Sequence, residues 1–280
     1  MAWYEGTITN AAGQLINILS DKLPNNENWE IVDTPDTNEK VYGHKYNGNR
    51  DFCVYVKDNQ VDFATIEIWD DWDAESHAGV GNALKAVGSN YTLRIRKTIT
   101  SWGLRLTDNC FVFILKGNGW GYYIGHPKRF DTNRVQPIFV GHTSYTSGNH
   151  YNYNPLSGKN GLYGSYWGGQ GLHWGVLYDS AGGVNKGCMP MGTTDTISST
   201  YTYHAYGWWP LKTTANTYYV IESVVGDYQT PWLAFGILDG VFSGFCGDVA
   251  ISNGDILNVE GTSWLVVMDG VGFVSLVRMD

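Results

Sequence analysis

The chain has few charged residues and no long apolar segment. Only 16% of its 280 residues are charged, and the net charge is −9, so no basic surface is available to track nucleic-acid phosphates. There is no run of about 18 apolar residues, and the first residues lack the basic and apolar stretches of a signal peptide. We therefore expect that the protein is made in the cytoplasm. We expect no direct nucleic-acid partner and no membrane partner.

The sequence also lacks the usual signatures of disulfide frameworks and of catalysis. Its cysteines, Cys53, Cys110, Cys188 and Cys246, are far apart and predict buried, small hydrophobic side chains. No Gly-x-Ser-x-Gly, His-Glu-x-x-His or phosphate-binding Gly-x-x-x-x-Gly-Lys-Ser/Thr motif is present. Catalytic groups can also meet from distant positions, which local motifs do not reveal. The expectation from the sequence is a protein that is not an enzyme and has no cofactor.

Two kinds of residue in the chain could bind a cation. Asp70, Asp71, Asp73 and Glu75 follow a strand-like segment, and hard oxygen ligands at this spacing could hold calcium. They lack the Asp-x-Asp-x-Asp-Gly loop, so a solvated turn at a strand end is the favoured interpretation. The seven histidines, including His126, are widely spread and are expected to be structural or surface residues. We assign no metal ligand from the sequence.

Aromatic residues and glycine are abundant, and they favour strands and turns. The chain is 15% aromatic and has 35 glycines, whereas few stretches are rich in helix-forming residues. The segment 110–115 is apolar on both faces and predicts a central strand, with 122–124 as its hairpin partner. The one predicted helix spans residues 10–23, capped by Asn10 and ended by Pro24.

These patterns predict a mainly β fold with an antiparallel, sandwich-like core. Residues 1–144 are expected to form the N-terminal helix and most of the β core, and residues 145–215 a loop-rich insertion rich in Gly, Tyr and Trp. Residues 216–280 would add the C-terminal strands that complete the core. The last two of these strands are predicted to form a hairpin that turns at Asp269-Gly270.

The aromatic side chains of the predicted insertion are candidate interface residues. Packing on the core is one interpretation, but large exposed aromatic patches usually mark binding surfaces. Two functional alternatives remain open, which are stacking on sugars in a carbohydrate- or receptor-binding module and anchoring of subunit contacts. The candidates are Tyr166, Trp167, Trp174, Trp208 and Trp209.

The order of segments along the chain carries a resemblance to a known group. The predicted helix is followed by Trp29-Glu-Ile-Val, by Tyr123-Ile-Gly-His-Pro127, by Pro137-Ile-Phe-Val-Gly141 and by a terminal hairpin in residues 255–278. This order resembles a loosely defined group of virion structural proteins of tailed bacteriophages. The resemblance implies a component of the virion. Within the virion, we expect this chain to belong to the tail or its ends and to contact other virion proteins and copies of itself in a symmetric ring. It carries over no catalytic residue.

Overall fold

The computed structural model describes residues 1–84, 93–97, 100–118, 120–129, 138–141, 145–146, 149–150, 175–178, 186–191, 219–227, 233–245, 251–267 and 273–280. The first strands are β1 (Ala2–Ile8), β2 (Trp29–Asp36), β3 (Glu39–Tyr46), β4 (Asn49–Lys57), β5 (Phe63–Asp73), β6 (Ala78–Leu84), β7 (Leu93–Arg96), β8 (Thr100–Leu106), β9 (Cys110–Leu115) and β10 (Trp120–Gly125). They are followed by β11 (Lys128–Arg129), β12 (Ile138–Gly141), β13 (Tyr145–Thr146), β14 (Asn149–His150), β15 (Gly175–Tyr178), β16 (Lys186–Met191), β17 (Tyr219–Asp227), β18 (Leu233–Phe245), β19 (Ile256–Val259), β20 (Thr262–Val267) and β21 (Phe273–Arg278). Among the described residues, the helical elements are α1 (Gln14–Lys22) and two 3-10 turns, Leu23–Asn25 and Lys116–Asn118.

The strands form antiparallel sheets, which confirms the predicted fold class. The large sheet has the order β1-β8-β9-β10-β12-β15-β16-β17-β18-β21-β20-β19, and β11 pairs with β18. The smaller sheet has the order β2-β3-β4-β5-β6, and β7 also pairs with β5. Strands β13 and β14 form a separate hairpin. Two strands in the 145–215 segment, β15 and β16, therefore belong to the large sheet.

The main core lies between the two sheets and α1. It joins apolar side chains of the small sheet, such as Val54 and Ile66, to Phe111 of the large sheet and Leu15 of α1. Strand β9 is buried along its whole length, because alternate residues enter this core and a second core on its other face. The predicted central strand and its hairpin with β10 are thus confirmed.

The C-terminal strands also pair as the sequence predicts. Strand β20 runs antiparallel to β21, with Trp264 opposite Arg278 and Val267 opposite Ser275. The predicted turn residues, Asp269 and Gly270, lie outside the described residues. Strand β1, which the sequence analysis did not predict, pairs with β8 and places the start of the chain in the large sheet.

The helix begins later than predicted, and its cap is supplied from a distant position. Gly13 is the N-cap residue, so the prediction of Asn10 as the cap was wrong. Asp58 Oδ2 instead accepts hydrogen bonds from the amides of Leu15 at 2.8 Å and Ile16 at 3.4 Å. A carboxylate there satisfies amides that lack a partner inside the helix. In the described part of the chain, no helix has the length and apolarity needed to cross a membrane.

Cys53 and Cys110 should resist alkylation while the protein is folded. Both are fully buried free thiols, as predicted for them, and burial raises the pKa of Cys53 to about 12 and also raises that of Cys110. Because the thiolate is the reactive form, we expect iodoacetamide to label both only after denaturation. Peptide mapping by mass spectrometry measures this, and rapid labelling of either cysteine in the native protein would contradict it.

Candidate functional site

A tight hairpin brings a histidine and an aspartate of the small sheet together. Strands β3 and β4 are joined by Asn47 and Gly48, whose φ angles of 52° and 78° are those of a two-residue hairpin turn with the twist that suits flanking strands. The pairing then shifts register, so that Asp51 is an extra residue beside His44. Such a bulge redirects a side chain out of the regular alternation.

The large sheet contributes a second histidine to the same place. His126 follows β10, and its amide donates a hydrogen bond to the carbonyl oxygen of Asn109 at 2.9 Å. Its own carbonyl oxygen accepts one from the Tyr123 hydroxyl at 2.9 Å. With the backbone held on both sides, His126 Nε2 contacts Asp51 Oδ2 across the interface between the sheets. We call His44, Asp51 and His126 the His–Asp–His cluster.

One possible ligand atom from each residue of the cluster lies within 4.8 Å of the others. The distance from His44 Nδ1 to Asp51 Oδ2 is 3.3 Å, and the two imidazole rings are 5.3 Å apart between centroids. His44 Nε2 donates to the carbonyl oxygen of Asp108 at 2.7 Å. Both rings are buried, whereas the side chain of Asp51 is 26% exposed. The cluster therefore has one side open to water.

Aromatic side chains fix the orientation of both histidine rings. Phe52 stacks on His44 at 4.8 Å and meets His126 edge-on at 5.3 Å. Trp29 packs edge-on against His44 at 4.9 Å, while its own Nε1 donates to the Thr107 carbonyl oxygen at 3.2 Å. These contacts leave the rings little freedom to turn away from Asp51, so the site is preorganised.

The carboxyl group of Asp51 is ionised at neutral pH. Burial by itself raises its pKa, but hydrogen bonds and charge interactions with His126 and His44 outweigh burial and hold the pKa well below its usual range. A carboxylate accepts hydrogen bonds and binds cations but donates nothing. The cluster therefore has a fixed negative charge between two imidazole rings, and these three residues could hold a metal ion.

The residues selected from the sequence do not form this cluster. Tyr166, Trp167, Trp174, Trp208 and Trp209 all lie outside the described residues, so their predicted interface role stays a prediction.

The acidic residues selected from the sequence lie at the end of β5 (Asp70, Asp71 and Asp73) and in the turn after it (Glu75). This position agrees with the favoured interpretation of a turn at a strand end. Asp71 accepts a hydrogen bond from Arg50 at 2.8 Å. Asp73 accepts one from the Glu75 amide at 2.9 Å and one from the Ser76 hydroxyl at 2.7 Å. These carboxylate oxygens are thus engaged within the protein.

Part of the His–Asp–His cluster had a signal in the sequence that was missed. Asn47-Gly48 is one of the strongest short hairpin motifs, and it places positions 44 and 51 near each other across two strands. No local pattern connects either position to His126, which is 75 residues from Asp51.

Comparison with known proteins adds no relative: no protein-family model matches this chain, and no curated protein matches it.

Proposed function

We propose that this chain is a structural component of a bacteriophage virion, in the tail or its ends, and that it assembles with copies of itself and with other virion proteins. The virion part of the proposal is supported by the order of sequence segments described above. The assembly part is supported by one observation, the open edge at strand β19. Within the described residues, β19 pairs with β20 alone.

Strand β19 has the features of an edge that pairs with another chain. Ile256 is 53% exposed and Val259 is 44% exposed, and the four residues of the strand include no charged side chain and no proline. Unpaired backbone groups beside exposed aliphatic side chains readily accept a further strand. A partner strand would bury these side chains and complete the backbone hydrogen bonds.

The edge of the small sheet shows how this protein protects an edge elsewhere. Strand β2 carries Pro35 and Asp33, and its pairing with β3 shifts register twice. Glu30 of the same strand forms ion pairs with Lys45 and Arg50. Proline, charge and bulges are the means by which natural edge strands avoid pairing. Because β19 has none of them, its open side is suited to a subunit contact.

The opposite end of the large sheet supplies a different edge. Strand β1 pairs only with β8 in the described part of the chain. A sheet whose two ends are different strands can join head to tail, with β19 of one copy beside β1 of the next. Head-to-tail contacts close into rings when the rotation between subunits permits it. We propose that the contacts close in this way and give a symmetric ring.

Replacing Val259 with lysine should dissociate the assembly. A charged side chain at the contact must be desolvated, so we expect the dissociation constant of the subunit contact to rise about tenfold or more, equivalent to about 1.4 kcal/mol. Light scattering coupled to size exclusion should then show a wild-type oligomer and a Val259→Lys species at the 31.2 kDa of one chain.

The matched control is Val61→Lys, because Val61 is 55% exposed but lies outside the strands. This variant should keep the wild-type mass. A wild-type protein that stays monomeric at high concentration would contradict self-assembly and favour the carbohydrate-binding alternative. Deleting residues 145–215 would be a poorer test, because it removes β15 and β16 from the large sheet.

A further inference from the structure

The protonation of His44 follows from its hydrogen bond to the backbone. The Asp108 carbonyl oxygen can only accept, so His44 Nε2 carries a proton. In the neutral imidazole, Nδ1 then has a lone pair, and this lone pair is directed at Asp51 Oδ2, 3.3 Å away. Two electron-rich atoms that face each other at this distance need a cation between them, which is either a proton or a metal ion.

The second histidine is directed at the same oxygen. His126 Nε2 contacts Asp51 Oδ2, so two ring nitrogens and one carboxylate oxygen converge on a small volume. Ligand atoms in a tetrahedral zinc site are about 3.3–3.6 Å apart, given bonds of about 2.0–2.2 Å. The separation of His44 Nδ1 from Asp51 Oδ2 already has this value. His126 Nε2 is in direct hydrogen-bond contact with the same oxygen, so this contact would have to lengthen to admit an ion.

The surroundings of the cluster also match those of a bound metal. A histidine ligand commonly donates its other ring proton to a backbone carbonyl, which fixes the ring and increases its basicity. His44 makes this contact to Asp108, and stacking on Phe52 holds the same ring. The exposed part of Asp51 leaves the cluster in contact with solvent, from which a water molecule could supply a further ligand.

We propose that His44, Asp51 and His126 bind one divalent transition-metal ion, with Zn²⁺ as the best match. Imidazole nitrogen suits zinc, copper, iron and nickel, whereas calcium and magnesium require all-oxygen sites. His44 and Asp51 belong to the small sheet and His126 follows a strand of the large one, so the ion would crosslink the two sheets of the sandwich. This proposal does not depend on a virion role.

Zinc titration of the purified full-length chain tests the proposal. After removal of metal with a chelator, calorimetry with zinc chloride should show one tight site, and Co²⁺ should give the visible absorption of a tetrahedral complex. Asp51→Asn and His126→Gln should each weaken this site by about 100-fold or more, because each removes one of three protein ligands. Circular dichroism establishes that each variant is folded.

The chain provides a matched control at its surface. His77 also contacts an aspartate, with 2.8 Å between its Nδ1 and Asp33 Oδ2, but its side chain is 52% exposed. His77→Gln should bind zinc as the wild type does. Equal zinc affinity in the wild type and in Asp51→Asn would overturn the proposal, as would the absence of stoichiometric binding by the wild type.

A measurement on the wild type alone decides the matter if the variants do not fold. X-ray absorption of the one-to-one zinc complex should show nitrogen and oxygen ligands at about 2.0–2.2 Å, including two imidazoles, and no sulfur at about 2.3 Å. A sulfur ligand would place the ion at the cysteines instead and would overturn the assignment. The oligomer mass measured without zinc tests the assembly proposal separately.

Discussion

Replacing Lys97 with methionine is expected to lower the free energy of unfolding by about 3–5 kcal/mol at neutral pH. Lys97 forms an ion pair with Asp58, and both side chains are fully buried. Lys97 Nζ also donates to the carbonyl oxygens of Ala11 at 2.8 Å and Gln60 at 2.7 Å. Methionine keeps most of the volume of the side chain, but it leaves a buried carboxylate and two carbonyl groups without this partner.

The ion pair has this large effect because Asp58 connects several segments. Its Oδ2 caps the start of α1 through the Leu15 amide, and its backbone oxygen accepts from Gly13 at 2.8 Å. Its own amide donates to Asn38 at 2.8 Å, in the turn between β2 and β3. Without Lys97, the helix start and this turn lose the group that holds Asp58 in place.

The cost of Lys97→Met should depend on pH in a defined direction. Burial raises the pKa of Asp58, and hydrogen bonds from Lys97 and the amides of Leu15 and Ile16 offset only part of this effect. In the variant, the folded-state pKa rises further. A carboxyl group whose pKa is raised on folding contributes stability below its unfolded pKa of about 3.9, and this stability is lost as the pH rises through the folded value. The deficit should therefore shrink as the pH falls from 7 towards 4.

Urea denaturation of the wild type and the variant at pH 7 and pH 4.5 measures both effects. Lys57→Met is the matched control, since Lys57 pairs with Glu39 while its side chain is 39% exposed. That pair should contribute less than about 1 kcal/mol. A loss for Lys97→Met no greater than that of the control, or a deficit that grows in acid, would contradict the interpretation of Asp58 and Lys97.

The two polar clusters lie at opposite ends of one strand. Asp51 is near the start of β4 and Asp58 directly follows its end, while Phe52, Val54 and Val56 between them enter the main core. Each carboxylate reaches a part of the chain outside the β3–β4 hairpin. An apolar strand can slide or tilt at little cost, whereas a buried carboxylate with specific partners fixes one position. We infer that these contacts fix the position of strand β4 relative to the large sheet and to α1.

The pattern of apolar residues along the chain was the reliable guide to the fold. The segment 110–115 is apolar on both faces, and it forms the buried strand β9. Both of its faces are buried because a hydrophobic core lies on each side of the strand. The C-terminal pairing of β20 with β21 was predicted from two strand-like segments joined by the Asp269-Gly270 turn signal, and the pairing is confirmed. These features depend on residues that are neighbours in sequence or in a hairpin, so the sequence contains enough information to predict them.

The polar clusters could not be predicted in the same way. Asp58 caps a helix that begins more than 40 residues earlier, and its partner Lys97 is 39 residues further on. His126 meets Asp51 only because the sheets pack face to face. No period or motif records such contacts, since they follow from the packing of whole sheets. Only the His44–Asp51 half of the candidate site had a local signal, the Asn47-Gly48 turn.

Replacing Gly125 with alanine is expected to lower the free energy of unfolding by about 2–5 kcal/mol, from backbone strain and overpacking together. Gly125 has a φ of +133°, a conformation that residues with a side chain rarely adopt. A Cβ there would lie 2.4 Å from the Asn109 carbonyl oxygen and 2.6 Å from Cys110 Cα. These are backbone atoms next to and within β9, so they cannot move without disturbing the β9–β10 pairing.

Gly254→Ala separates strain from steric overlap. Gly254 also has a positive φ, +90°, but no atom of the described residues lies within 4 Å of the Cβ position. Its replacement should cost about 1 kcal/mol, from backbone conformation alone. Urea denaturation compares the two variants, and equal losses would contradict the predicted overlap at Gly125.

Because His126 is the next residue and its amide bonds to Asn109, the backbone shift in Gly125→Ala should move the His126 ring away from Asp51. Zinc affinity should then fall in Gly125→Ala and stay unchanged in Gly254→Ala, which links the conformation of one glycine to the geometry of the His–Asp–His cluster.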